Sequence, residues 1–196
     1  MNKLQNIFIR NNGYSRMEEL KRSGIQTRQI SKAVQEGLLT KVSPGLYKLN
    51  NYPWDEHESF ADVCNANKRA VICLLSAAAY YDLTTFNPSE IYVAVPHNTS
   101  KFKLDYPPTK VYYWTDKFYS TGIEEMNTKS GLIKIYNKEK TIIDLFRYIN
   151  KTGEDVAIES LKNYMRERKK DISRLAQYSV ICGIKEKIAP YLKGMI

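Results

Sequence analysis

Cysteine is scarce. The 196-residue chain has three, Cys64, Cys73 and Cys182, an odd number at wide spacing with no Cys-x-x-Cys pair. This excludes a disulfide framework and a zinc-ribbon reading, and it fits a reducing, cytoplasmic setting. The two histidines, His57 and His97, show no His-x-x-x-His spacing, so no metal-ligand set is read. Long apolar runs are also missing. The longest, Ala70 to Tyr81, falls well short of the ~20 residues that span a bilayer and reads as a buried core helix, so no membrane role is expected. The start, MNKLQNIFIRNNG, lacks an apolar h-region and a small-residue cleavage site, and no signal peptide is read there. Phosphate-cradling glycine motifs and a Gly-x-Ser-x-Gly elbow do not occur. No Asp-x-Asp pair is present to hold two metal ions, and no cofactor or catalytic residue is read. Ser76, in LLSAAAY, reads as a small helix-packing residue. Asp144, on the apolar helix KTIIDLF, reads as a structural carboxylate pairing with Lys140 or Arg147.

Positive charge is plentiful. Thirty Lys and Arg against 21 Asp and Glu give a net charge of +9, which favours polyanionic partners. Two thirds of that excess lies in residues 1–52, where nine basic residues face three acidic ones. With 43% hydrophobic and 26% charged residues the composition is that of a globular protein.

Helical spacing of Leu4, Ile7 and Phe8 predicts a first helix over 4–10, stopped at Asn11-Asn12-Gly13. Ser15 followed by Glu18 predicts a capping box at the start of a second helix that ends at Ser23-Gly24. Ile25 is expected as a buried turn position, and Thr27 as the cap of a third helix running to Glu36 and stopped by Gly37. LLTKV and LYKL around Ser43-Pro44-Gly45 predict a hairpin. Helix, helix, tight turn, helix and hairpin in about fifty residues is the order of a winged helix-turn-helix, with a border near residues 50–53.

The remainder predicts helices over 55–67 and 74–82 and strands over 89–95, 111–115, 123–127 and 132–136. A helix over 138–148 and three more over 154–168, 171–182 and 184–193 follow. The expected fold class is therefore α+β: an N-terminal winged helix-turn-helix domain (1–52) and a mixed α/β C-terminal domain with terminal helices (53–196).

The third helix carries the chemical argument. At 100° per residue, Ile30, Ala33 and Val34 share one face. Arg28, Lys32 and Gln35 share the opposite one, with Gln29 and Ser31 at its edges. An outer stripe of cations and amides without a carboxylate suits a duplex groove: Arg binds guanine bidentately, Gln reads adenine, and Lys serves phosphate or guanine. Thr27, Arg28 and Gln29 lie at the leading end of that helix. Ser15 and Arg16, at the expected start of the second helix, and Lys41 and Lys48, flanking the wing tip, are expected on phosphates. Two further features read as structural. The run RERKK at 166–170 reads first as a solvated helix end, with a second nucleic-acid patch as the alternative, and the adjacent Tyr112, Tyr113 and Trp114 suit a sheet core, with base stacking as the alternative. A nucleic-acid-processing enzyme targeted by the winged helix, and a repressor that senses a small ligand, remain alternatives.

Four stretches resemble the AbiEi antitoxin family of type IV toxin–antitoxin and abortive-infection loci. Gly13-Tyr14-Ser15 with EELKRSGIQTRQISKAVQEGLL resembles its short winged helix. VSPGLYKL (42–49) resembles the strand that closes the wing, with Ser43-Pro44 where a basic residue is usual. LLSAAAYYDLTTFNPSEIYVAVP (74–96) resembles a small-residue helix followed by a strand ending in proline. GLIKIYNKEKTIIDLFRY (131–148) resembles its strand and Arg-Thr-x-x-Asp helix, with Lys140 in place of the arginine. The resemblance implies a non-enzymatic, two-part protein. Its winged helix would bind double-stranded DNA at inverted repeats in its own promoter and repress the operon. Its C-terminal part would oppose a nucleotidyltransferase toxin without forming a stable complex with it.

Overall fold

A computed structural model of the chain describes residues 3–194. The fold is mixed, 46% helix and 20% strand, with a winged helix-turn-helix region at its N-terminal end. By its internal contacts the chain divides into two compact units. The first runs through Lys68 and includes Lys103–Pro108 and Met126–Ile133. The second holds Arg69–Phe102, Thr109–Glu125 and the chain from Lys134 onward.

In the first unit, α1 (Lys3–Arg10) leads into β1 (Tyr14–Arg16), α2 (Met17–Arg22), α3 (Thr27–Gln35), β2 (Leu39–Ser43), β3 (Leu46–Leu49) and α4 (Glu58–Ala66). β1, β3 and β2 form an antiparallel sheet in that order. Both helices of the turn stop in the same way. The amides of Gly24 and Ile25 donate to Lys21 and Leu20 carbonyls at 2.9 and 3.0 Å, and those of Gly37 and Leu38 to Val34 and Ala33 at 3.1 and 2.9 Å. These are Schellman stops. Each uses a glycine at positive φ and turns the next apolar residue back onto its own helix. Ile25 and Leu38 thereby join Leu4, Phe8, Leu20, Ile30, Ala33, Leu39, Tyr47 and Leu49 in one apolar core. The apolar faces expected of the first and third helices are those the core uses.

Two expected caps are corrected. Ser15 does not cap α2. It lies in β1 opposite Tyr47, is buried, and donates to Glu19 Oε2 at 2.7 Å. Pairing of β1 with β3 satisfies a backbone that a local Ser-x-x-Glu pattern would have turned into a helix start. Thr27 is the first residue of α3, not its cap: Gln26 and Gln29 form a reciprocal capping box, with Gln26 N donating to Gln29 Oε1 at 2.8 Å.

The second unit contains most of a five-stranded sheet in the order β6-β5-β4-β8-β7. Its strands are β4 (Val71–Ile72), β5 (Ile91–Pro96), β6 (Thr109–Trp114), β7 (Ile123–Thr128) and β8 (Gly131–Tyr136). β4 pairs antiparallel with β5 and parallel with β8, while β5 and β6 are parallel. The helices are α5 (Leu74–Tyr80), α6 (Asp116–Tyr119), α7 (Lys138–Arg147), α8 (Ile149–Thr152), α9 (Glu154–Arg166), α10 (Ile172–Ile181) and α11 (Lys185–Lys193). The apolar run from Ala70 is split: Val71–Ile72 is a strand, and the helix starts at Leu74. α7 is buried along nearly all its length and packs against α5, α9 and α10. Asp171 caps α10 by accepting from Arg174 N at 2.8 Å. Tyr112 and Trp114 are in the core, whereas Tyr113, between them on β6, is 42% exposed on the other face of the strand.

Asp144 pairs with both of its expected partners, Lys140 and Arg147, the latter at 3.1 Å. Lys140 Nζ also lies 4.6 Å from the ring centre of Trp114 and 4.5 Å from that of Tyr136. Burial lifts the Asp144 carboxyl above its ordinary range, against the pull of Lys140 and Arg147.

Candidate nucleic-acid interface

α3 separates two chemistries on one short helix. Ile30 and Ala33 are buried, while Thr27, Arg28, Gln29, Ser31, Lys32 and Gln35 are all exposed. Gln29 spends its carboxamide oxygen on the cap, so toward a partner it offers the amide nitrogen as donor. Lys32 meets Glu36 at 3.6 Å with both side chains largely exposed. Such an i,i+4 surface pair is worth only about 0.3–0.5 kcal/mol and yields readily to a phosphate.

The wing is tied to this helix pair by backbone and side-chain hydrogen bonds. Met17 N, at the start of α2, donates to Gly45 O at 2.8 Å, and Arg16 lies opposite Leu46 in the β1–β3 ladder. At the other end of the hairpin Asn50 Nδ2 donates to Gly37 O at 2.8 Å, just after α3. Gly13 holds φ +87°, and a Cβ there would lie 2.8 Å from the Tyr52 ring, so this turn requires glycine. Lys41 is exposed on β2.

The four expected phosphate contacts divide. Lys41 is exposed, and Arg16 is exposed with one guanidinium nitrogen donating to Asn65 O at 2.9 Å. Ser15 is buried and bonded to Glu19. Lys48 is committed elsewhere: its ammonium meets Asp62 Oδ2 at 2.9 Å and Glu58 Oε1 at 3.1 Å, and Tyr14 donates to the other Asp62 oxygen at 2.8 Å. Burial works to lower the Lys48 pKa, but the hydrogen bonds and charges of Asp62 and Glu58 carry it above its ordinary value. Burial lifts Asp62, against the pull of Lys48 and Tyr14. The same environment pushes the Tyr14 phenol up, burial first and Asp62 second.

Four exposed cations of the first fifty residues, Lys3, Arg10, Lys21 and Arg22, carry no assignment from the sequence. Lys21 and Arg22 close α2 in the same unit, and the local charge excess was their only signal. Among the described residues no group of three or more His, Cys, Asp and Glu is placed to hold a metal ion, and no helix is long and apolar enough to cross a membrane.

Residues 2–50 match the model of a family described as "Transcriptional regulator, AbiEi antitoxin". No curated protein matches the chain. Among solved structures, the crystal structure of the RV2827C protein from Mycobacterium tuberculosis is similar. Its TM-score is 0.57 at 12% sequence identity, over 97% of this chain and 80% of that one. At that identity the likeness is one of fold.

Proposed function

We propose that the protein is an AbiEi-type antitoxin and transcriptional repressor that binds inverted repeats in its own promoter. The observation that carries this reading is the exposed cation-and-amide face of α3, opposite a face buried in the core, inside the segment matched by the regulator family. Arg28, Gln29, Ser31, Lys32 and Gln35 read base edges from the major groove, with Thr27 at the leading end, while Lys41 and Arg16 contact phosphates of the same duplex. Ser15 and Lys48 hold the scaffold of the wing instead. The second unit serves the antitoxin role, opposing a nucleotidyltransferase toxin in the cytoplasm without a stable complex, and the protein acts without catalysis of its own.

A gel shift with the chain's own promoter fragment tests the reading. Arg28→Ala and Lys32→Ala each weaken binding by ~1–3 kcal/mol where the contact is to a base. Affinity falls steeply with added salt as counterions are released. Unchanged affinity for the double variant overturns the assignment of α3.

A further inference from the structure

The last two helices leave an apolar groove open. Its volume is about 470 Å³, and it runs between Ala176 and Val180 of α10 and Ala189 and Leu192 of α11, with Ile188 buried beneath. Val180 is 60% exposed, among the most exposed large apolar side chains described. Ile172, Ala176 and Val180 stand at i, i+4 and i+8, so they form one stripe along α10. The charged side chains among the described lining residues are both lysines. Lys185 and Lys193 line it, and no carboxylate does among the described residues that line it. Glu186 lies on α11 but outside that lining. The lysines stand eight positions apart, which sets their backbones about 12 Å apart along the helix.

We propose that this groove is a docking site for an acidic amphipathic helix of a partner protein. The concave apolar floor takes side chains at i, i+4 and i+7 of the incoming helix, and its flanking carboxylates meet Lys185 and Lys193. A second copy of this chain is the poorer occupant, because face-to-face pairing would bring the same lysines together. A membrane surface suits a protruding apolar face, not a recess between two helices.

The probe is a synthetic helix of roughly 15 residues, with leucines at i, i+4 and i+7 between glutamates, made in several registers and titrated into the full chain. A matched peptide with lysine for glutamate is the control. Saturable binding of the acidic helix is expected, with amide shifts confined to Ala176, Val180, Ala189, Leu192 and their neighbours. Val180→Asp weakens it at least about tenfold through lost apolar burial and added repulsion. Lys185→Glu/Lys193→Glu reverses the preference toward the lysine peptide, a change a folding defect would not produce. Equal binding of both peptides, no binding in any register, concentration-dependent dimers insensitive to Val180→Asp, or binding only to anionic phosphatidylserine vesicles each overturn the proposal. None of these results bears on promoter binding by α3, which is read separately.

Discussion

Substitution of Lys48 by methionine separates a wing cation that holds DNA from one that holds the fold. Lys48 keeps 17% of its side chain exposed and Asp62 only 3%, with Asp62 anchored by Tyr14. Breaking a fully buried pair costs about 3–5 kcal/mol, because the abandoned charge stays desolvated. An exposed pair is worth about 0–1 kcal/mol. Asp62 lies at the buried limit, whereas Glu58, 42% exposed, can turn to water. Lys48→Met should therefore cost about 2–4 kcal/mol, a large share of the roughly 5–15 kcal/mol that holds a typical domain. The reading is urea unfolding by circular dichroism at pH 7, with amide exchange along β1 and β3 as the local probe. Lys48→Met/Asp62→Asn should recover most of the loss, since asparagine still accepts from Tyr14 without a stranded charge. Promoter affinity and its salt slope, measured where the variant is folded, should stay within about twofold of the parent, because an ammonium held by two carboxylates has few counterions to release. An unchanged unfolding midpoint, together with a salt slope shallower by about one, would refute this reasoning and return Lys48 to the phosphate backbone.

Two other predictions concern buried carboxylates. Asp144→Leu leaves the fully buried Lys140 without its anion and should cost about 3–5 kcal/mol in thermal or urea unfolding, with Lys140→Met/Asp144→Leu recovering much of it; a neutral single variant contradicts the pairing. Asp55 is held below its ordinary pKa: burial works against this, but hydrogen bonds from the His57 and Ser130 amides, at 2.9 and 2.7 Å, and from Thr128 and Ser130 side chains outweigh it. A depressed carboxyl stabilises the fold above its unfolded pKa, so that contribution should vanish as pH falls below about 4 and through the folded value. Asp55→Asn should flatten this acid limb of a stability–pH curve, and an equally steep limb in the variant would show that Asp55 does not drive it.

The features legible in the sequence are those fixed within one turn of helix. The 3.6-residue period put Ile30 and Ala33 inside and Arg28 and Lys32 outside, and both assignments hold. Gly24 and Gly37 marked helix ends because an αL stop needs a residue without a Cβ. What escaped depends on partners far along the chain. Ser15 followed by Glu18 has the local pattern of a helix cap, yet β1 pairs with β3 some thirty residues on and buries the hydroxyl. Lys48 reads as a wing cation until Glu58 and Asp62 are brought beside it by α4. Val71–Ile72 was hidden inside a nearly continuous apolar run, where periodicity cannot tell a buried strand from the helix that follows.

In the proposed function the outer face of α3 enters a DNA groove. Chemical-shift mapping of the full chain with a duplex of its own promoter repeat tests it most directly. The largest shifts are expected at Arg28, Gln29, Ser31, Lys32 and Gln35, smaller ones at Lys41 and Arg16, and none centred on Ser15 or Lys48. Saturable shifts centred on any other surface, with the α3 amides unmoved, would contradict it.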